Sequence, residues 1–262
     1  MSTVQGVTAV VGAGGAIGAA IAARLAGEGT VALLDRDAAR LADVAASLPE
    51  RPLVLPVDAR DGGAVDAAFA EISRAGGLAR LAVAVGTTSG GSIHELDEAS
   101  WDTILGSNLT TVFHSLRAGV GTLRHTGGPV CVIGSVHAAD PQPGYPAYAA
   151  AKAAVAALVR QVAAEYGHVG VRANLVTPGW TRAPHTVGRL EPQDEAALLD
   201  TTPLRELVEP SDLAEAVAWL MSGAASRVTG AEIVVDGGAS LLGGATVLRQ
   251  GYRQRLGLDA SR

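Results

Sequence analysis

Apolar residues along this chain of 262 residues fall into two alternating kinds of run. Short runs rich in Val, Leu and Ile occur at VTAVV (7–11), TVALL (30–34), PLVLP (52–56), RLAVAV (80–85), PVCVIG (129–134), VRANLV (171–176) and EIVV (232–235). They read as continuous apolar runs, as strands covered on both faces do. Between them lie longer alanine-rich stretches of helical period, predicting helices over 16–27, 38–48, 62–75, 101–125, 146–166 and 212–222. In the fourth, Ile104, Leu105, Leu109, Val112, Phe113, Leu116, Val120 and Leu123 form one stripe at three-to-four spacing. This alternation predicts an α/β fold: a doubly wound parallel sheet of about seven strands with helices on both faces. No repeat or shift in composition divides the chain, which reads as one domain over 1–262. Two stretches stand outside the pattern: a loop at about 180–205, rich in Pro, Thr and charge, and a tail at about 243–262.

Composition narrows the function classes. Hydrophobic residues make up 48% of the chain but aromatics only 3%, so the core is built from Ala, Val and Leu. A net charge of −6, spread along the sequence, offers no basic stripe for nucleic acid. Cys131 is the single cysteine and permits no internal disulfide, as expected in a reducing compartment. The opening MSTVQGVTAVVG lacks the basic and cleavable features of a signal peptide, and no apolar stretch approaches the length of a membrane span. A cytoplasmic protein is expected. No Cys/His cluster has metal-ligand spacing, so no metal is expected either.

Candidate chemistry begins after the first strand, where VVGAGGAIGAAIAARLA places Gly12, Gly14, Gly15 and Gly18 at the entry to a helix. Glycines there let the backbone turn tightly and approach a pyrophosphate, which the helix N-terminus attracts through its free N–H groups. The next strand ends in Asp35, whose carboxylate suits ribose hydroxyls and repels a 2′-phosphate; its other reading is a cap for the following helix. Arg36 follows directly and would accommodate that phosphate, yet the acid outweighs it and favours NAD over NADP. Farther on, PAYAAAKAAV holds Lys152, the only lysine among 20 Lys and Arg residues, four residues after Tyr148. On a helix those two positions share a face. A nearby ammonium favours the phenolate, and bringing a phenol from about 10 to near neutrality takes roughly 4 kcal/mol. Arginine, a fixed planar fork, is no substitute for such a point charge.

With YAAAK, the glycine loop and the alternation together, the chain resembles the compact branch of the short-chain dehydrogenase/reductase family. The likeness runs from residue 7 to about 240 and includes SVHAADPQPGYPAYAAAK, WDTILGSNLTTVF, VRANLVTPGW and VTGAEIVVDGG. It implies a Rossmann fold and a catalytic set of Asn108, Ser135, Tyr148 and Lys152. Tyr148 would be the general acid/base, Ser135 would bond the substrate oxygen, Lys152 would also bind the nicotinamide ribose, and Asn108 would hold a relay water. The dinucleotide would lie along Gly12, Gly14, Gly15, Ile17, Gly18, Asp35, Arg36, Asp58, Ala59, Val85, Gly86, Pro178, Gly179 and Thr181, with Asp58 at the adenine. The chain departs from the family pattern at Val11 and Ala16 of the glycine loop, in VAVG (83–86), and at Ala183, where Thr181 or Arg182 takes over the contact near the nicotinamide. Substrate contacts are expected from His137, Tyr145, Trp180 and His185, with Trp180 and Tyr145 implying an apolar pocket for a cyclic or aromatic alcohol or ketone. The expected activity is hydride transfer between NAD(H) and a small secondary alcohol or ketone. The alternatives are an NADPH-dependent 3-ketoacyl thioester reductase and a non-catalytic dinucleotide sensor. Family members usually form homotetramers, and the arginine- and leucine-bearing tail is expected to pack across a subunit interface.

Overall fold

The structure, a computed structural model, describes residues 5–183 and 191–242. One sheet carries β1 (Val7–Val11), β2 (Val31–Asp35), β3 (Leu53–Pro56), β4 (Leu78–Val83), β5 (Gly128–Ile133), β6 (Val171–Pro178) and β7 (Glu232–Val235). The strand order is β3-β2-β1-β4-β5-β6-β7, and every neighbouring pair is parallel. The helices are α1 (Ala16–Ala26), α2 (Ala38–Ser47), α3 (Gly62–Arg74), α4 (Glu98–Leu105), α5 (Thr111–Leu123), α6 (Pro146–Tyr166), α7 (Pro192–Thr201) and α8 (Pro210–Met221). The seven apolar runs are the seven strands, offset by at most two residues at their starts.

Two apolar layers cover the two faces of the sheet. Val7, Ala9 and Val11 face one layer with Phe69 and Ile72 of α3, Leu116 of α5 and Val155 and Val159 of α6. Val10 faces the other, with Ile21 and Leu25 of α1, Leu41 of α2 and Leu213 and Val217 of α8. Sandwiching by helices on both sides is why the strand sequences carry no polar alternation. Truncating a fully buried leucine such as Leu81 or Leu213 to alanine would cost about 2–5 kcal/mol.

Three elements differ from the sequence reading. The helix expected over 101–125 starts earlier, because the Asp97 carboxylate accepts from Ser100 N at 2.6 Å and caps α4. It is then interrupted by a π-helical turn, Gly106–Thr110, before α5. The loop expected over 180–205 contains α7, which Arg182 holds through Glu195 at 2.8 Å. The same guanidinium reaches Glu209 at 2.9 Å, the residue before α8. The last helix begins at Pro210, where Glu209 and Asp212 form a reciprocal cap. The expected role of the tail at 243–262 lies outside the described residues.

The chain reverses its direction of winding between β1 and β4, which are neighbours in the sheet but far apart in sequence. Crossovers leave for opposite faces on either side of that point, opening a crevice at the carboxyl ends of the strands.

Candidate active site

A cleft of about 480 Å³ occupies that crevice. The carboxyl ends of β2 and β6 and the residues after β1, β3, β4 and β5 all contribute to it, as Asp35, Pro178, Gly12, Asp58, Gly86 and Gly134 show. At one end lies the glycine turn. Gly15 precedes α1 without a side-chain cap, and no acid occupies the first turn, whereas Asp37, Asp61 and Asp97 cap α2, α3 and α4. The first amides of α1 are thus left open to an anionic ligand. Gly18 lies so close to the turn that a Cβ there would overlap the Gly12 carbonyl oxygen.

Asp35 does not cap α2; Asp37 does, accepting from Arg40 N at 3.1 Å. The Asp35 carboxylate instead accepts from Gly14 N at 3.1 Å and from Asp37 N at 3.0 Å, which fixes it against the glycine turn. Both oxygens keep lone pairs for further donors. Three guanidinium residues, Arg36, Arg40 and Arg60, line the same end of the cleft. Arg60 grips Asp58 at 2.6 Å, and this hydrogen-bonded partner brings the Asp58 carboxyl down to about 2.

At the other end stands the Tyr148–Lys152 pair, both lining the cleft from α6. Lys152 is buried and its ammonium donates to the Ile133 carbonyl at 3.1 Å; burial lowers its pKa to about 8. Its Nζ lies 5.7 Å from the Tyr148 ring centroid. Burial lifts the Tyr148 phenol above its ordinary value, against the opposing pull of the Ser135 hydroxyl. Lys152 Nζ thus lies beside the Tyr148 ring while it bonds a strand carbonyl.

Ser135 sits two residues beyond β5 and starts a single 3-10 turn. Its oxygen accepts the His137 backbone N–H at 3.2 Å, so one lone pair is used and its proton remains available to donate. Asn108 lies in the π turn, fully buried. Its amide nitrogen donates to the carbonyls of Thr87 at 2.8 Å and Ile104 at 2.9 Å, while its Oδ1 is buried without a partner. Gly86 has φ +148°, and a Cβ there would overlap Asn108 Oδ1 and come within 3.4 Å of Lys152 Nζ. Strand end, π turn and helix thus meet at Gly86.

Of the expected dinucleotide contacts, Gly12, Gly15, Ile17, Asp35, Arg36, Asp58, Ala59, Val85, Gly86 and Pro178 line the cleft. Gly14, which bonds Asp35, and Gly18, which packs on Gly12, are not part of its wall, nor are Gly179 and Thr181. Thr181 is turned to the Gly179 carbonyl at 3.1 Å and Arg182 is taken by Glu195 and Glu209. His137 meets Tyr148 and Tyr145 edge-on, with ring centroids 5.5 and 5.6 Å away. Trp180 is half-buried outside the cleft wall, its carbonyl accepting from Val208 N at 3.0 Å. His185 lies outside the described residues. Arg40, Arg60, Thr87, Thr88, Ser107 and Thr111 line the cleft without having been expected there. No cluster of potential metal ligands occurs among the described residues, and no described helix is long and apolar enough to cross a membrane.

Comparisons with known proteins agree with this architecture. The family described as enoyl-(acyl carrier protein) reductase matches residues 12–240. "Inactive 2-(S)-hydroxypropyl-CoM dehydrogenase 2" of Xanthobacter autotrophicus is 37% identical over 81% of this chain and 95% of its own. An oxidoreductase of the short chain dehydrogenase/reductase family from Burkholderia thailandensis superposes with TM-score 0.85 at 33% identity, covering 98% of this chain and 99% of that one. A 3-ketoacyl-(acyl-carrier-protein) reductase from Brucella melitensis, solved with NADH, reaches TM-score 0.84 at 27% identity, covering 90% and 98%.

Proposed function

The chain belongs to the short-chain dehydrogenase/reductase family of oxidoreductases, and from that premise we propose that it transfers a hydride between NAD(H) and a small secondary alcohol or ketone. The observation that carries this reading is one cleft holding an uncapped glycine turn and Asp35 at one end and Tyr148 with Lys152 at the other. The cradle fits a dinucleotide: open helix amides suit a pyrophosphate, the Asp35 lone pairs suit ribose hydroxyls, and the orphaned Asn108 Oδ1 leaves an acceptor beside Lys152. A bound nicotinamide would supply the hydride acceptor, and Gly12, Gly15, Asp35 and Lys152 are the cleft residues that would hold its dinucleotide. In oxidation Ser135, its lone pair held by His137 N–H, would donate to the substrate oxygen, and Tyr148, ionised as the phenolate beside the Lys152 ammonium, would take the hydroxyl proton on Oη. Lys152 keeps a positive charge below the ring, anchored on the Ile133 carbonyl. Asn108 Oδ1, a buried acceptor with no partner, would accept from a water beside Lys152 through which the proton returns to solvent.

This reading makes the protein a cytoplasmic NAD enzyme and, as in many relatives of the family, a homotetramer. A panel of secondary alcohols and ketones followed at the NADH absorbance tests it. Tyr148→Phe and Lys152→Arg are each expected to abolish nearly all turnover while the circular dichroism spectrum persists. A Tyr148→Phe protein that keeps most of its rate overturns the acid/base assignment.

A second reading has one observation behind it. Arg36, Arg40 and Arg60 crowd the adenosine end of the cleft and suit a 2′-phosphate, as an NADPH-dependent 3-ketoacyl thioester reductase requires. Acetoacetyl thioester with NADPH distinguishes the two. The presence of both Tyr148 and Lys152 in the cleft favours catalysis over a silent dinucleotide sensor.

A further inference from the structure

We infer that Arg60 occupies the Asp58 carboxylate and turns the outer end of the cleft from an acceptor into a donor, so that the protein binds a dinucleotide carrying a 6-oxopurine at least as tightly as NAD(H). The inference rests on the dinucleotide reading above and adds to it the purine edge that the cleft selects. Sheet order places the base. Gly12 follows β1, Asp35 ends β2 and Asp58 follows β3, and these strands are neighbours in the order β3-β2-β1. Adjacent strands lie about 4.8 Å apart. A pyrophosphate at the glycine turn and a ribose on Asp35 therefore carry the attached purine outward to the end of β3, where Asp58 and Arg60 line the cleft.

A bare carboxylate at that point would accept from an exocyclic amino group and oppose a carbonyl oxygen. The Asp58 carboxylate is not bare. An ionised carboxyl group offers about four lone-pair sites. Asp58 Oδ1 accepts from Arg60 N at 3.0 Å and from Arg60 Nε at 3.1 Å. Oδ2 accepts from Nε at 3.1 Å and from Nη2 at 2.6 Å. Asp35, by contrast, accepts one backbone N–H on each oxygen and keeps its other lone pairs. Two acids thus line one cleft, one open and one filled. Exchanging charge-assisted bonds to a guanidinium for one bond to a neutral amino group is unfavourable, and the Arg60 bonds keep Asp58 ionised down to about 2, so it offers no O–H either. Arg60 spends its Nε–H and one Nη2 N–H on Asp58, which leaves three of the five guanidinium N–H donors without a partner among the described residues. The two side chains are 51% and 37% exposed, so a ligand in the cleft meets them directly. What the purine finds there is a set of donors, which match a 6-oxo group and have no use for a 6-amino group.

Calorimetric titration of the full chain with NADH and with its hypoxanthine analogue, in which a 6-oxo group replaces the 6-amino group, tests this. The two nucleotides carry the same charge, so the ratio of their Kd values isolates the purine edge. The wild-type protein is expected to bind the analogue at least as tightly as NADH. Arg60→Ala bares the carboxylate and is expected to shift the ratio toward NADH by about fivefold. Arg60→Ala combined with Asp58→Ala, which removes the carboxylate as well, should return the ratio to near one. A wild-type protein that favours NADH, or a ratio that Arg60→Ala leaves unchanged, overturns the proposal while the dinucleotide reading stands. Binding of neither nucleotide overturns that reading and this proposal with it.

Discussion

Replacing Lys152 with methionine should separate stability from chemistry in opposite directions. The lysine is buried, and its pKa drops from 10.5 to about 8 because burial disfavours the ammonium. That fall corresponds to about 3 kcal/mol acting against the folded state whenever the lysine is charged. Methionine removes this opposition but also the bond from Nζ to the Ile133 carbonyl at 3.1 Å, whose loss costs about 2 kcal/mol. Near pH 7 the variant should therefore be more stable by about 1 kcal/mol, or roughly 2–4 °C in midpoint for a chain of this size. The pH dependence is sharper than the offset. The native pKa lies below the unfolded one, so the unfolded chain binds the extra proton between pH 8 and 10.5 and wild-type stability climbs through that window. Above it the charge opposition is gone while the loss of a hydrogen bond from the now neutral amine remains, and the order should invert, leaving wild type ahead by about 1 kcal/mol. Thermal denaturation of both proteins without nucleotide, at pH 7 and pH 10, reads the difference directly, since other titrations cancel. A gap that does not change with pH refutes the assignment of a strained, buried ammonium.

Two further outcomes follow from the cleft. Wild type is expected to prefer NAD⁺ over NADP⁺ by at least about tenfold in kcat/KM, and Asp35→Ala should bring the ratio to near one or invert it, because Arg36 and Arg40 remain beside the site; equal kcat/KM for the two cofactors in wild type would show that the guanidiniums dominate. Gly86→Ala forces a side chain into a φ of +148° and into Asn108 Oδ1, so a loss of about 1–3 kcal/mol is expected together with a fall in kcat. Gly106→Ala, where a Cβ meets nothing within 4 Å, is the control, and equal midpoints for the two variants would remove Gly86 from the site's framework.

The strands were legible because burial on both faces leaves no room for polar alternation, so each apolar run marks a strand almost by itself. Helix ends were less legible. The stripe from Ile104 to Leu123 keeps its spacing in the sequence across the π turn, yet Phe113 of that stripe is exposed while Thr111 and Ser115 beyond the turn are buried, a shift that periodicity alone cannot register. The Asp97 cap is visible in the sequence as an acid three residues before Ser100, but it lies ahead of the first strong apolar residue, where periodicity places the helix start. Helix α7 was hidden for a different reason: its fixed position depends on Arg182 reaching both Glu195 and Glu209, a contact no local window contains.

Site residues divide along the same physical line. Tyr148 and Lys152 were legible because one helix fixes their spacing, and Asp35 because a strand end fixes its place. What the sequence could not show is how burial redistributes their properties. The spacing gives Lys152 a tyrosine to act upon, yet Nζ binds Ile133 on the neighbouring strand and the phenol rises with burial. The same holds for Asn108, whose orphaned Oδ1 acquires meaning only where Gly86, from another strand end, brings bare backbone against it beside Lys152. Three segments remote in sequence, ending at Gly86, bent at Asn108 and carrying Lys152, create a polar pocket that no one of them encodes. A side chain at Gly86 would fill the meeting point. The glycine is thus as much a determinant of the lysine's surroundings as the lysine's own helix.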